Sequence, residues 1–262
     1  MKIVVCIKQV PDTAEVRLDP KTNTLIRDGV PSIINHDDKT GLEVALRIRD
    51  QTGGSVTAVC MGPPQADVAL REALAMGCNE AVLVSGREFG GSDTYATAAI
   101  LGAALKKIGF DLVITGRQAI DGDTAQVGPQ IAEQLGIPQV SYAEAIEPQA
   151  DGLVVKRQFE DQYYLLKVKL PCLITALSDM AQPRYMSVGG IVDAYNQEIK
   201  VLGFDELKDS LNPDWIGLAG SPTNVRQSFT KQPKAGGAVL SGLSADEAVD
   251  AILAKLVERH II

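Results

Sequence analysis

The sequence is poor in histidine, with only His36 and His260. His260 stands close to the C-terminus, where chains tend to fray. A Ser-His-Asp hydrolase or a His-rich metal enzyme would therefore rest on His36 alone, which disfavours both. Cysteine is also scarce. Cys6, Cys60, Cys78 and Cys172 are scattered and form no Cys-x-x-Cys pair, which argues against a zinc site or an iron–sulfur cluster. Three of them lie in or beside apolar runs, where reduced cysteine behaves as a small hydrophobe, and a reducing, cytoplasmic setting is expected. Positive charge is not in excess. The formal net charge of −8 disfavours nucleic acid and an anionic membrane surface as partners. No stretch approaches the ~20 continuous apolar residues of a membrane span. The opening Met1–Lys8 is too short and too soon charged for a signal peptide and reads as a strand. Two phosphate-binding fingerprints are missing as well, since neither G-x-G-x-x-G nor G-K-[ST] occurs.

What is present suits a folded α/β domain. The 262 residues are 45% hydrophobic and 22% charged, enough for one large domain or a domain with an appendage. Val-rich, nearly continuous apolar runs at Lys2–Lys8, Ser55–Met61, Glu80–Ser85 and Asp111–Thr115 fit strands buried on both faces of a parallel sheet. Helix-period segments fall between and after them, at Asp38–Asp50, Pro64–Met76 and Ser92–Ile108. Ser92 is the expected N-cap of the third, and Gly77 and Gly109 are natural stops. This alternation predicts a doubly wound, mostly parallel sheet with helices on both faces. An inserted hairpin is expected at Glu15–Asp19 and Asn23–Arg27. After Ser141 the runs Gly152–Phe159 and Tyr163–Lys169 alternate, and Leu170–Thr175 reads as another strand, so an antiparallel edge is expected.

The C-terminal region differs in composition. Ala219–Gly237 is rich in Ser, Thr, Gln, Lys, Pro and Gly, with little apolar surface to bury. Ser244-Ala245-Asp246-Glu247 then forms a capping-box pattern. Val249, Ile252, Leu253, Leu256 and Val257 follow at helical spacing as an apolar stripe. Such a helix folds back on its own domain or docks on another chain, and docking elsewhere explains the long arm more readily. The division expected is 1–218 as the α/β domain and 219–262 as arm and helix.

The chemistry is expected in Gly116-Arg117-Gln118-Ala119-Ile120-Asp121-Gly122-Asp123-Thr124-Ala125-Gln126-Val127-Gly128. This loop follows an apolar strand and precedes a helix-like stretch at Pro129–Leu135. Glycines let backbone approach a ligand, and the free N–H groups and dipole of a helix start suit a phosphate. Asp121 and Asp123 are placed to accept hydrogen bonds from ribose or ribityl hydroxyls. The same residues also fit an ordinary βα loop with a capping Asp.

This loop closely resembles the signature of the electron transfer flavoprotein β subunits. The resemblance continues through Val5-Cys6-Ile7-Lys8-Gln9-Val10-Pro11-Asp12 and Ile34-Asn35-His36-Asp37-Asp38. It also covers Glu43-Val44-Ala45-Leu46-Arg47, Val59-Cys60-Met61-Gly62-Pro63, Leu74-Ala75-Met76-Gly77 and Gln182-Pro183-Arg184-Tyr185. It implies pairing with a larger, flavin-holding α subunit, on which the C-terminal arm and helix would dock. It also implies an adenine nucleotide between the strand ends. By motif, the nucleotide contacts would be Cys6, Asn35, His36, Asp37, Asp38, Met61 and the loop from Gly116 to Val127. Cys6 and Met61 would meet the adenine, and Thr124, Ala125, Gln126 and Val127 the phosphates.

Members of that family hold either a structural AMP or a second FAD in this subunit. Gly122 and Ala125 stand where the AMP type has larger polar residues, which leaves room for a pyrophosphate and favours FAD. The resemblance then implies electron bifurcation. NADH would donate to this flavin, one electron would pass by the α-subunit flavin to an acyl-CoA dehydrogenase, and the other to ferredoxin or flavodoxin. Such activity would belong to the α–β complex, and no side chain is nominated as acid, base or nucleophile. Ser178–Tyr185 resembles the family's recognition loop, with Met180 in the place of its protruding apolar residue and Arg184 and Tyr185 beside it. The lysine run that often follows in AMP-type members is replaced by Val192-Asp193-Ala194-Tyr195. A non-bifurcating subunit with structural AMP, and a stand-alone adenine-nucleotide-binding protein, remain the alternatives.

Overall fold

In a computed structural model of the chain, residues 1–12, 31–223, 225, 236–237 and 239–262 are described. The hairpin expected at Glu15–Asp19 and Asn23–Arg27 lies outside the described residues. The chain divides into two compact units, Met1–Arg226 and Gln227–Ile262.

The first unit begins with β1 (Lys2–Ile7), a short β2 (Gln9–Pro11) and β3 (Ser32–Ile34), then α1 (His36–Thr52). Next come β4 (Ser55–Met61), α2 (Asp67–Met76), β5 (Glu80–Val84), α3 (Thr94–Ile108), β6 (Leu112–Gly116) and α4 (Val127–Leu135). Strands β7 (Gln139–Gln149), β8 (Gly152–Gln158), β9 (Tyr163–Val168) and β10 (Cys172–Ala176) follow. The unit ends with α5 (Val188–Asn196), β11 (Lys200–Leu202) and α6 (Phe204–Leu207).

Among the described residues the main sheet has nine strands in the order β11-β5-β4-β1-β6-β10-β7-β8-β9. Pairing is parallel from β11 to β7 and antiparallel from β7 through β9. The period-2 geometry of a strand explains how β1 serves two cores. Ile3, Val5 and Ile7 pack with Leu42, Leu46, Leu70 and Leu74 of α1 and α2 on one face. Val4 and Cys6 pack with Ile100 and Leu105 of α3 and Ile131 of α4 on the other.

Most elements lie within two residues of the sequence expectation, and the departures have local causes. The cap of α3 is Asp93, whose side chain accepts from Ala96 N. Ser92 is occupied elsewhere, donating to Phe89 O and accepting from Gly217 N. Helix α4 starts at Val127, two residues before Pro129. Strand β10 does not join the antiparallel edge but inserts, parallel, between β6 and β7. Strand β7 runs for 11 residues and escaped the alternation pattern because it is irregular at Tyr142. That residue has φ 58 and donates its amide to Thr175 Oγ1, and the register shifts beside it.

In the second unit, α7 (Ala245–Glu258) carries the expected capping box, with Ser244 and Glu247 reciprocating. Val249, Ile252, Leu253 and Val257 of its apolar stripe are exposed.

Candidate functional site

The chain leaves β1, crosses by α1 on one face and returns as β4, whereas β6 lies on the other side of β1 and follows α3 on the opposite face. The connections thus diverge at the carboxyl ends of β1 and β6, the place where doubly wound sheets open a crevice. A cleft of about 410 Å³ occupies this point. Cys6 and Met61 line it from the ends of β1 and β4, Thr115 and Gly116 from β6. The loop residues Arg117, Gln118, Ala119, Gly122, Asp123, Thr124, Ala125, Gln126 and Val127 form one wall, and Asp38 also reaches it.

Two glycines are there because nothing larger fits. A Cβ on Gly116 would lie 2.2 Å from Asp38 Oδ1, and one on Gly128 2.7 Å from Thr115 Oγ1. Gly122 differs, with no atom within 4 Å of a built Cβ. Asp123 and Ala125 both take φ of 52, a left-handed conformation unusual outside glycine. Helix α4 then opens into the cleft with no side-chain cap, its N-cap position being Gln126. Its first amides therefore lack the partner that Asp93 provides to α3. Gln126 Oε1 instead accepts from Thr94 Oγ1 at 3.0 Å.

Polar side chains beneath the loop hold it in shape. Asp38, buried in the first turn of α1, accepts from Lys8 N and Gly116 N, each at 2.9 Å, and so ties the ends of β1 and β6 together. Burial pushes its carboxyl up to about 7, against the amide donors and Asn35, which favour the charged form. Asn35 precedes α1 but does not cap it. Its Nδ2 donates to Gln118 O at 2.7 Å and its Oδ1 accepts from Ile120 N at 3.1 Å. Lys8 Nζ pairs with Asp121 at 2.6 Å, and Gln118 Nε2 bonds Asp123 Oδ1. Arg117 Nε lies 3.5 Å from Asp37 Oδ2. Burial raises the Asp37 pKa despite that guanidinium.

Asn35, His36, Asp37 and Asp121 are not among the residues that line this cleft. Asn35 bonds Gln118 O and Ile120 N, Asp121 pairs with Lys8, Asp37 faces Arg117, and His36 is exposed at the start of α1. A second part of the lining escaped the sequence reading altogether. Ser92, Asp93, Thr94 and Thr97, at the start of α3, line the cleft together with Lys8. The signal was available in the polar run Ser92-Asp93-Thr94 before an apolar helix, a second helix start at the carboxyl edge of the sheet.

Outside the cleft, Met180 ends a single 3₁₀ turn (Ser178–Met180) and is half-buried against the core rather than protruding. Arg184 is clamped to Glu43 at 2.8 Å and Asp50 at 3.0 Å. Tyr185 is 95% exposed. The four cysteines are buried, and burial raises the Cys6 thiol to about 12, far from the reactive thiolate range. Among the described residues no group of three His, Cys, Asp or Glu could hold a metal ion, and no helix is long and apolar enough to cross a membrane.

Comparison with known proteins agrees with this architecture. The electron transfer flavoprotein domain family matches residues 22–206. The chain is 54% identical to the electron transfer flavoprotein subunit beta of Thermoanaerobacterium thermosaccharolyticum, over 100% of both chains. It is 52% identical to the caffeyl-CoA reductase-Etf complex subunit CarD of Acetobacterium woodii, again over 100% of both. It is 49% identical to the acryloyl-CoA reductase electron transfer subunit gamma of Anaerotignum propionicum, with the same coverage. With the parallel sheet, the crevice at its divergence point and the loop from Gly116 all in place, the chain belongs to the electron transfer flavoprotein family, among its beta subunits.

Proposed function

We propose that the cleft holds FAD and that the chain works as the nucleotide-binding half of an α–β flavoprotein which bifurcates electrons from NADH. The observation that carries the reading is the uncapped start of α4, opening beside two glycines that exclude any side chain. Amides in that position favour an anion, since the helix dipole and the unpaired N–H groups act together. Thr124, Ala125, Gln126 and Val127 would hold phosphate oxygens there. Cys6 and Met61 would supply apolar contact for the adenine. Arg117 would add positive charge at the cleft wall, its Nε directed to Asp37. The lining hydroxyls of Thr94 and Thr97 and the open space beside Gly122 favour a ligand longer than a mononucleotide, and so FAD over AMP. When bound, the flavin would take a hydride from NADH and release electrons one at a time, to ferredoxin or flavodoxin and, through the α-subunit FAD, to an acyl-CoA dehydrogenase.

The names of relatives from acyl-CoA-reducing systems support an acyl-CoA enzyme as the final partner. Residues 1–218 would form the nucleotide domain. The segment 219–262 would dock on the α subunit through the stripe of α7, which is exposed and apolar. The segment from Met180 to Tyr185 would meet the dehydrogenase, with Arg184 fixing its backbone and Tyr185 offering the exposed ring. The test is flavin stoichiometry. The purified α–β complex is denatured and its released nucleotides are counted. Two FAD per heterodimer are expected, and one FAD with one AMP would overturn the bifurcating assignment.

A further inference from the structure

Asp93 lies in two places at once. It caps α3, whose first turn forms the cleft wall, with Ala96 N donating to Oδ1 at 3.0 Å. Its other oxygen accepts from Thr223 N at 2.9 Å, 130 residues further along. Its own amide donates to Ser221 Oγ at 2.8 Å, and that hydroxyl donates to Gly217 O at 2.7 Å. Ser221 and Thr223 are therefore held beside the start of α3, one through its hydroxyl and the other through its amide. Partial burial works against the Asp93 charge, but bonds from Ala96, Thr223 and Tyr95 outweigh it and hold the carboxyl below the ordinary range.

We propose that Asp93 is a positioning residue that couples occupancy of the cleft to the attachment of the C-terminal arm at Thr223. A ligand against Thr94 and Thr97 restricts the first turn of α3, and the restricted turn presents the Asp93 carboxylate to Thr223. Ordering by one event lowers the cost of the other. Linkage requires reciprocity, so whatever factor the ligand adds to arm attachment, arm attachment adds to ligand affinity. The inference rests on the reading of the cleft as a nucleotide site. It does not depend on whether that nucleotide is FAD or AMP.

The substitution Asp93→Asn separates the two roles of the residue. Asparagine is as good an N-cap as aspartate, but Ala96 N and Thr223 N are bonded to different oxygens of the carboxylate, and asparagine places an amide donor at one of those two positions. The experiment measures hydrogen exchange at the Thr223 amide in the full-length chain co-purified with its flavoprotein partner. The nucleotide-loaded complex is compared with one stripped and then reloaded with FAD or AMP. In the wild type, loading slows exchange about threefold to tenfold, the value of one hydrogen bond. In D93N the slowing disappears, nucleotide affinity falls by the same factor, and the folded domain survives because its cap is kept. Ser221→Ala, which leaves the carboxylate intact, reduces the slowing without abolishing it. Equal exchange at Thr223 in loaded and stripped wild-type complex overturns the coupling while leaving the nucleotide site standing. A D93N complex that keeps the full difference overturns it too. If no adenine nucleotide is recovered from the wild type and none rebinds, the site reading fails and the coupling with it.

Discussion

The Asp38 carboxylate occupies the space that a side chain at Gly116 would need, accepting the Gly116 amide at 2.9 Å. Its other oxygen takes the Lys8 amide, so the ends of β1 and β6 are joined at the floor of the cleft by one buried acid. Gly116→Ala must displace that acid. We expect a cost of about 2–3 kcal/mol, a fall of roughly 5–10 °C in Tm for a chain of this size, together with loss of bound nucleotide. Gly122→Ala, built into open space, should leave Tm unchanged. Thermal unfolding of both variants decides, and equal behaviour would remove the special status of position 116.

Asp38 also sets a pH dependence. Its carboxyl is raised from 3.8 to about 7 in the folded chain. Between these values the folded state keeps a proton that the unfolded state has released, so this group lowers stability as pH rises from about 4 to 7. Glu43 acts in the opposite sense. Burial works against its charge, but Arg184 and Arg47 prevail and lower its pKa, so its contribution is lost as pH falls below the ordinary glutamate range. The clean reading is the difference between wild type and Asp38→Asn. Unfolding free energies measured from pH 4 to 8 should diverge by a slope of up to about one proton within that window, and parallel curves would contradict the assignment.

Asn35 holds the loop through Gln118 O and Ile120 N. Asn35→Ala strands two polar groups that it satisfies and should cost about 2–4 kcal/mol. Nucleotide should be lost on gel filtration even where the chain remains folded. A variant that retains its nucleotide would show that the loop keeps its shape without this clamp.

Asp123 combines a carboxylate facing Gln118 with a left-handed backbone. Asp123→Ala removes the side chain and keeps the backbone strain, so it should lower nucleotide occupancy by about 1–3 kcal/mol. Asp123→Gly removes the same carboxylate but relieves the backbone by up to about 1 kcal/mol. The glycine variant should therefore be the more heat-stable of the two while losing nucleotide equally. Occupancy restored by glycine would mean that backbone shape, and not the carboxylate, serves the ligand.

Arg184 grips Glu43 with its side chain and its amide. Arg184→Ala leaves a buried carboxylate with Arg47 as its remaining guanidinium partner. A loss of about 1–3 kcal/mol is expected, with faster exchange of the amides around Tyr185. Arg184→Lys should recover only part of it, because an ammonium cannot reproduce the fork.

Much of this was legible in the order of residues. Continuous Val-rich runs suit strands buried on both sides, and β1, β4, β5 and β6 appear within a residue or two of their expected bounds. The Ser244/Glu247 box is read from four adjacent residues because capping is a local interaction. Strand β7 was not legible, since its reversed φ at Tyr142 breaks the alternation that marks a strand. The short β11 and the largely exposed α5 gave too weak a period to be seen.

The sequence by itself determined the kinds of elements, their order, and the presence of a glycine- and aspartate-rich turn between β6 and α4. Periodicity reports how one segment is buried, and nothing beyond that segment. Only the tertiary structure decided that Asp38 points to the strand ends while its neighbour Asp37 turns to Arg117. It alone brought the start of α3 to the same cleft as the loop, and Thr223 to Asp93. These placements follow from the insertion of β10 beside β6 and from the two faces on which α1 and α3 cross. They depend on which strand ends become neighbours, a property of the packed sheet and not of any stretch of chain.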